Sequence, residues 1–414
     1  AKDLYSRVLL PDPDGIGYRY PHQVSGGQLQ RAMTAMALSC RPDLIIFDEP
    51  TTALDVTTQI EVLTTIRDIV REFNTAAIYI SHDLAVVAQM ADRIMVLRYG
   101  ELVEEATTRE MMSSPKMEYT KSLWAVRSFK KEAETVASAM SPVVKVNSVT
   151  AGYGSEDILK EVSFEIHRGQ TVAIVGESGS GKSTAARVIT GLLPPRVGDI
   201  QLNGKILPKS FKARNKEQLR HVQMIYQMAD TALNPRQRIR NIIGRPLTFY
   251  LGLTGKQKEA RIRELLSLIE LEPDLYIDRF PDELSGGQKQ RVSIARALAA
   301  EPEFIICDEV TSALDQLVAE GILRLLDRLQ REFNLAYMFI THDLATVKAI
   351  ADNVVVMLQG KIVEQGSKTE IFSPPHHDYT ELLLSSVPEM DPDWLNELIA
   401  HREKHGVMSS TSIS

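Results

Sequence analysis

The pattern of apolar and polar positions predicts both strands and helices along the chain. Residues 143–149 alternate between apolar and polar side chains, which is typical of a strand. Thr171–Val175 and Phe304–Asp308 are apolar runs of strand length, and the second of them ends in a carboxylate. Residues 185–191 and 289–298 have the pattern of helices. These elements together predict an α/β fold.

Several segments of the chain occur twice, always 260 positions apart. The matching pairs are 25–28 with 285–288, 48–49 with 308–309, 81–85 with 341–345, and 119–120 with 379–380. Between residues 25 and 55, more than half of the positions are identical to their counterparts. A period of this length is too long for a solenoid unit, so it indicates a duplicated domain.

The repeat predicts where the domains begin and end. The second copy begins near Pro142, so the equivalent start of the first copy falls before residue 1. We therefore predict an incomplete first copy at 1–126, without its own phosphate loop, and a complete second copy at 142–388. Residues 127–141 are charged and then small and polar, which fits a linker, and residues 389–414 form a C-terminal tail.

Composition limits the classes of function. Of the 414 residues, 44% are hydrophobic and 24% are charged, as in a globular protein. No apolar run approaches the roughly 18 residues that a membrane span requires. The net charge of −7 argues against a nucleic-acid partner. Two distant cysteines, Cys40 and Cys307, form neither a disulfide framework nor a zinc cluster.

Residues 176–184 match a phosphate-binding loop. The sequence Gly-Glu-Ser-Gly-Ser-Gly-Lys-Ser-Thr follows a predicted strand and precedes a predicted helix, the setting in which G-x-x-x-x-G-K-[ST] binds nucleotides. Glycines let backbone N–H groups face the phosphates, and a helix N-terminus adds positive charge. Lys182 is predicted to reach the β- and γ-phosphates, and Ser183 to bind Mg²⁺. The candidate nucleotide-binding residues here are Gly176, Ser178, Gly179, Gly181, Lys182, Ser183 and Thr184.

Two further motifs narrow the prediction. Asp308, at the end of a predicted strand, is a candidate Mg²⁺ ligand, and Glu309 can orient or deprotonate an attacking water. Taken alone, this pair fits a helix N-cap equally well. Ser-Gly-Gly at 285–287 predicts a second anion site at a helix start, although an ordinary serine cap has the same sequence. The first copy has both motifs in the same order, which favours the functional interpretation.

Together these motifs resemble the ABC transporter ATPase family over essentially the whole chain. The resemblance implies a P-loop NTPase (RecA-like) core with a helical subdomain, tandemly duplicated, which binds and hydrolyses ATP with Mg²⁺. The implied catalytic residues are Glu309, His342, Gln227 and Lys182, and the implied metal ligands are Ser183, Gln227 and Asp308. The implied signature residues are Ser25, Gly26, Gly27, Gln28, Ser285, Gly286, Gly287 and Gln288. The D-loop residues are Asp55 and Asp315, the switch histidines are His82 and His342, and Tyr153 is the aromatic residue for adenine.

The resemblance also implies how nucleotide domains cooperate. In this family two domains face each other head to tail, and ATP lies between the phosphate loop of one and the signature motif of the other. The loop at 176–184 and the signature at 25–28 supply the parts of one such site. Tyr153 has an alternative, because an aromatic residue at this spacing also fits a core. Three positions depart from the family pattern: Val24, Val310 and the Met-Ala-Asp that follows Gln227, the last of which would affect coupling more than ATP binding.

Residues 20–27, 233–236 and 373–384 resemble the peptide/nickel importer ATPases, which include oligopeptide, dipeptide and glutathione systems, some with two fused nucleotide domains. This resemblance implies a peripheral subunit on the cytoplasmic face of the plasma (inner) membrane. Its implied partners are two integral-membrane permease subunits and, indirectly, a periplasmic or extracellular solute-binding protein. The alternative is a soluble ABC ATPase of translation or DNA repair, but the chain has neither their zinc cysteines nor their long charged inter-domain helices. The transported substrate stays open.

Overall fold

The computed structural model describes residues 1–51, 54–125, 131, 141–312 and 314–405. The chain forms two compact units. The first unit combines residues 1–127 with residues 381–414, and the second comprises residues 128–380. Apart from Lys131 and Ser141, the predicted linker 127–141 lies outside the described residues.

Both units contain helices and strands, as the sequence predicts. The first unit has helices α1 (Lys2–Arg7), α2 (Gly26–Leu38), α3 (Val56–Glu72), α4 (Leu84–Met90), α5 (Thr108–Ser113) and α6 (Glu118–Ala125). Its strands are β1 (Leu44–Asp48), β2 (Ala76–Ile80), β3 (Arg93–Arg98) and β4 (Glu101–Thr107). The second unit has strands β5 (Val144–Ala151), β6 (Leu159–Ile166), β7 (Thr171–Val175), β8 (Val197–Leu202), β9 (Lys205–Ile206), β10 (Val222–Ile225), β11 (Phe304–Asp308), β12 (Ala336–Ile340), β13 (Asn353–Leu358) and β14 (Lys361–Ser367). Its helices are α7 (Lys182–Ile189), α8 (Lys216–His221), α9 (Ala229–Ala232), α10 (Ile239–Leu251), α11 (Gly255–Leu268), α12 (Pro273–Tyr276), α13 (Gly286–Leu298), α14 (Gln316–Phe333), α15 (Leu344–Ile350) and α16 (Lys368–Ile371). Helix α17 (Asp378–Ser385) crosses from the second unit into the first, and α18 (Trp394–His405) follows it.

The second unit is built on a mixed sheet with the order β10-β11-β12-β7-β13-β14. All of its neighbouring strands are parallel except β13 and β14. Strands β7 and β12 are buried at every position, which explains why they are continuous apolar runs without alternation. Because ligands of such sheets bind beyond the carboxyl ends of the strands, the ends of β7, β11 and β12 mark the place for a site.

Two further layers complete the second unit. A smaller antiparallel sheet, in the order β6-β5-β8-β9, shares a core with the main sheet and α7. Helices α10, α11 and α13 pack around a second core through residues such as Ile243, Leu265 and Val292. This helical layer matches the subdomain that the sequence predicts, and it delivers the Ser-Gly-Gly-Gln segment at the start of α13.

The first unit repeats the C-terminal half of the second unit. Each strand from β1 to β4 lies 260 positions before its counterpart in β11 to β14. Its strands form two separate pairs, β1 with β2 and β3 with β4. In the second unit β7 joins the equivalent strands, and no described residue of 1–125 takes that place. One face of β1 is exposed: Ile46 is 60% exposed, whereas its counterpart Ile306 is fully buried in the core that the main sheet shares with α7 and the smaller antiparallel sheet.

The C-terminal segment packs against the first unit. Leu395 and Leu398 of α18 enter a cluster with Ile60, Leu63 and Val86. The segment therefore belongs with the first unit, and the domain limit that the sequence places at 388 differs from the division observed near 380. No composition or spacing signal marks this return of the chain.

Gln89 fastens this C-terminal segment through its side chain. Its amide donates to the carbonyl oxygens of Glu389 at 2.9 Å and Asp391 at 2.5 Å, and its oxygen accepts from the Leu395 N–H at 3.0 Å. The equivalent residue of the second unit is Ala349, which has no polar group to offer. These side-chain hydrogen bonds to the C-terminal segment are thus specific to the first copy.

We expect Gln89→Ala to loosen the C-terminal segment. The change leaves three backbone groups without their partner, which costs about 2 kcal/mol of stability in this region. Limited proteolysis of the full chain should then cut within 386–405 several-fold faster. Asn396→Ala, which removes only an exposed hydrogen bond from Arg67, is the matched control and should leave the rate nearly unchanged. Equal cleavage of both variants would contradict the role given to Gln89.

Candidate active site

The phosphate loop connects the end of β7 to the start of α7, in the setting that the sequence predicts. Gly176 has a φ of +144°, and a Cβ there would lie 2.1 Å from the carbonyl oxygen of Met357. Gly181, with a φ of +105°, is the N-cap of α7. Both positions require glycine, because side chains rarely adopt such backbone angles and the first has no room for one. The loop is therefore a cradle of backbone formed at a helix N-terminus, which fits a phosphate group.

Lys182 is folded back onto this loop. Its side-chain amine donates to the carbonyl oxygens of Gly176 and Glu177, both at 2.7 Å, and the residue is only 7% exposed. An ammonium group held by neutral carbonyls makes stronger hydrogen bonds to the charged oxygens of a phosphate. The ammonium group of Lys182 thus lies within the loop, where the side chain can turn toward a bound anion.

Asp308 lies at the end of β11, beside the start of α7. The hydroxyl of Ser183 donates to its Oδ1 at 3.4 Å. Burial, with the negative charge of Glu309 added, raises the pKa of Asp308 to about 6. A cation between Ser183 and Asp308 would favour the ionised carboxylate, so these two oxygens fit a hard metal ion. The helix-cap alternative for this pair is wrong, because Asp315 caps the following helix α14.

Glu309 is held between two polar side chains. His342 Nδ1 lies 3.4 Å from Oε1, and the amide of Gln227 donates to Oε2 at 2.6 Å. Burial acts to raise the pKa of Glu309, but hydrogen bonding and charge from His342 outweigh it and lower that pKa. Burial likewise opposes the positive form of His342, while Glu309 raises its pKa. The pair therefore favours an ionised carboxylate beside a charged imidazole.

The backbone at Glu309 is also unusual. Its φ is +48°, in the left-handed region that a glutamate rarely occupies. The Glu309 N–H donates to the carbonyl oxygen of Ile340 at 2.9 Å, which holds the residue in this conformation. Backbone strain of this kind concentrates at functional sites. Glu49, its counterpart in the first unit, has a φ of +47° and lies 2.8 Å from His82 Nδ1.

Tyr153 lies on the second unit and is 46% exposed, so the alternative of a core aromatic residue does not hold. Its hydroxyl accepts a hydrogen bond from Arg187 of α7 at 2.8 Å. Arg187 was not predicted from the sequence as a site residue. The available signal was its position on the helix that begins with Lys182, one turn beyond Ser183.

The two signature segments begin helices α2 and α13. Ser25 caps α2 by accepting from the Gln28 N–H, and Ser285 caps α13 by accepting from the Gln288 N–H. The serine-cap alternative is therefore observed in both copies. The second glycine of each segment lies against the next helix, since a Cβ on Gly287 would meet Val318 at 2.4 Å. The role of these segments in nucleotide binding stays a prediction.

The structure thus brings one set of predicted residues together within the second unit. Ser183 contacts Asp308, and Glu309 contacts both Gln227 and His342. Among the described residues, no group of three or more His, Cys, Asp or Glu side chains is arranged to hold a metal ion. Mg²⁺ bound together with nucleotide phosphates needs only one or two protein ligands.

Known proteins are similar to this chain in sequence over most of its length. A model of the ABC transporter family matches residues 2–52 and 159–312, and a model of the oligopeptide/dipeptide transporter C-terminal region matches residues 363–407. The glutathione import ATP-binding protein GsiA of Escherichia coli is 39% identical across 95% of this chain and 68% of that protein. Its namesake in Pectobacterium atrosepticum is 38% identical across 93% and 67%. This chain belongs to the ABC transporter family of ATP-binding proteins.

A solved structure agrees with this assignment. CbiO1 from Clostridium perfringens, part of the ABC transporter complex cbiONQ, superposes with a TM-score of 0.52 at 29% identity, covering 56% of this chain and 91% of that one. The family, the α/β ABC ATPase fold and the ATPase class that the sequence predicts are confirmed. The C-terminal match confirms the prediction of an importer-type ATP-binding subunit. Among the described residues, no helix combines the length and apolar character of a membrane span.

Proposed function

We propose that the chain binds and hydrolyses ATP at the phosphate loop of its second unit and thereby energises an importer of peptides or similar small solutes. The observation that carries this proposal is the convergence of five side chains at one sheet edge. Lys182 lies in the loop, Asp308 contacts Ser183, and Glu309 lies beside His342. Glutathione is a candidate cargo, because that is what the names of the relatives state.

In the proposed mechanism each residue has one task. The backbone of residues 176–184 and Lys182 would hold the phosphates. Ser183 and Asp308 would hold Mg²⁺, which would supply positive charge next to the phosphates. Glu309 orients or deprotonates the attacking water. Gln227 and His342 fix the Glu309 carboxylate through the contacts described above. Phosphoryl transfer depends mostly on such positioning and charge, which these residues supply.

The remaining assignments follow the family resemblance. Tyr153 would stack on adenine, since its ring is exposed and its hydroxyl is held by Arg187. Ser25–Gly27 with Gln28, and Ser285–Gly287 with Gln288, would contact a nucleotide bound to the phosphate loop of a facing nucleotide domain. Partners would be two permease subunits, with a solute-binding protein acting indirectly. The site of action would be the cytoplasmic face of the membrane.

The test of this proposal is ATP binding and turnover by the purified full chain. We expect ATP to bind in the presence of Mg²⁺. EDTA should weaken ATP binding and stop turnover, because Ser183 and Asp308 would hold the phosphates through the metal ion. Reconstitution with permeases encoded beside this gene should stimulate turnover. Stimulation by ribosomes or DNA in place of permeases would favour the non-transport class of ABC ATPase. A chain that binds no ATP would contradict the proposal.

A further inference from the structure

One peptide unit at the base of the phosphate loop is held from both sides. Its carbonyl oxygen belongs to Gly176 and accepts from Lys182 at 2.7 Å. Its N–H belongs to Glu177 and donates to the hydroxyl of Tyr379 at 2.8 Å. The orientation of this peptide determines the direction in which the rest of the loop leaves β7. Lys182 and Tyr379, the second of which is distant in the sequence, therefore both hold the first peptide of the loop in its orientation.

Tyr379 is itself firmly placed. It is 2% exposed and lies in the first turn of α17. Its backbone N–H donates to His377 Nδ1 at 3.1 Å, and the His377 N–H donates to Glu364 of β14 at 3.1 Å. The strand β14 belongs to the same sheet as β7. The hydroxyl thus reaches the loop from a support that is anchored on the sheet.

We propose that Tyr379 is a positioning residue for ATP binding, acting through the peptide between Gly176 and Glu177. When Lys182 turns toward the phosphates, the Gly176 carbonyl loses that donor. Tyr379 still holds the peptide at its N–H and keeps the loop in the shape that receives the nucleotide. The residue touches neither nucleotide nor metal in this role. The inference rests on the proposed function, since it assumes that the loop binds ATP.

A conservative variant separates this role from general stability. Tyr379→Phe keeps the ring and removes the hydroxyl, leaving the Glu177 N–H without this acceptor. Tyr337→Phe is the matched control: Tyr337 is also 2% exposed, and its hydroxyl donates to the Leu326 carbonyl at 3.1 Å, away from the loop. Both variants lose one buried hydrogen bond to the backbone, so both should lower the melting temperature to a similar extent.

Only Tyr379→Phe should change the binding of ATP. We expect its equilibrium dissociation constant and KM for ATP to rise roughly fivefold, the equivalent of one buried hydrogen bond, with kcat within about twofold of the parent. Tyr337→Phe should keep both values. The measurements are ATP titration without turnover and steady-state hydrolysis, each on the full chain.

The possible outcomes are distinct. A parent chain that binds no ATP would contradict the proposed function and this inference together. A parent that binds ATP, with equal dissociation constants for the two variants, would overturn the inference and leave the proposed function standing. A fall in kcat for Tyr379→Phe without a change in ATP affinity would also overturn it, because a residue that shapes the binding loop acts on affinity first.

Discussion

Glu309→Gln should slow ATP turnover by roughly 1000-fold, within the range expected for loss of a general base, while ATP binding is kept. The amide preserves the size of the side chain and can still contact Gln227, but it carries no charge and accepts no proton. His342 then loses the carboxylate that raises its pKa. Single-turnover hydrolysis and equilibrium ATP binding, measured on the same preparation, check both halves of this expectation.

The chain offers a control for this experiment in its own repeat. Glu49 occupies the equivalent position of the first unit, with the same left-handed backbone and a contact to His82. The G-x-x-x-x-G-K-[ST] motif occurs once in the sequence, in the unit that contains Glu309 rather than Glu49. Glu49→Gln should therefore keep at least half of the parent turnover. A loss as large as that of Glu309→Gln would mean that the first unit takes a direct part in the chemistry.

The sequence was sufficient for the parts of the fold that depend on local spacing. Strands β7 and β11 are continuous apolar runs because both of their faces are buried. The loop between β7 and α7 needs glycine at positions 176 and 181 for steric reasons. The structure of the loop can therefore be recognised from its sequence. Asp308 ends β11 and Glu309 follows it directly, as the apolar run at 304–308 predicts. For motifs of this kind, the sequence is sufficient to predict the local geometry.

Contacts between distant segments could not be predicted in this way. The sequence marks the Tyr-Thr pairs at 119–120 and 379–380 as a repeat, yet nothing in it indicates that Tyr379 reaches Glu177. The return of the C-terminal segment to the first unit uses Gln89, an ordinary helix residue by composition, together with the apolar cluster around Leu395 and Leu398. Such contacts arise from tertiary packing, which places residues together regardless of their separation along the chain.

Lys182→Ala should weaken ATP binding roughly 100-fold, which corresponds to about 2.7 kcal/mol of charge-assisted hydrogen bonding. Lys182 donates to two neutral carbonyls and a hydroxyl in this structure, and all three of these acceptors belong to the loop itself. The effect on the melting temperature should consequently be smaller than the effect on ATP binding. Equilibrium titration with ATP and thermal unfolding measure the two quantities.

A second buried lysine gives the opposite expectation. Lys131 has a side chain that is 3% exposed and donates to Gln330 at 2.6 Å and to Asp352 at 2.7 Å. Lys131→Ala removes one partner of this ion pair, so it should cost about 3 kcal/mol of stability. ATP affinity should stay near that of the parent, because these contacts lie away from the loop. Lys182 would then act in ligand binding and Lys131 in the stability of the fold. A larger loss of ATP affinity for Lys131→Ala than for Lys182→Ala would contradict that distinction.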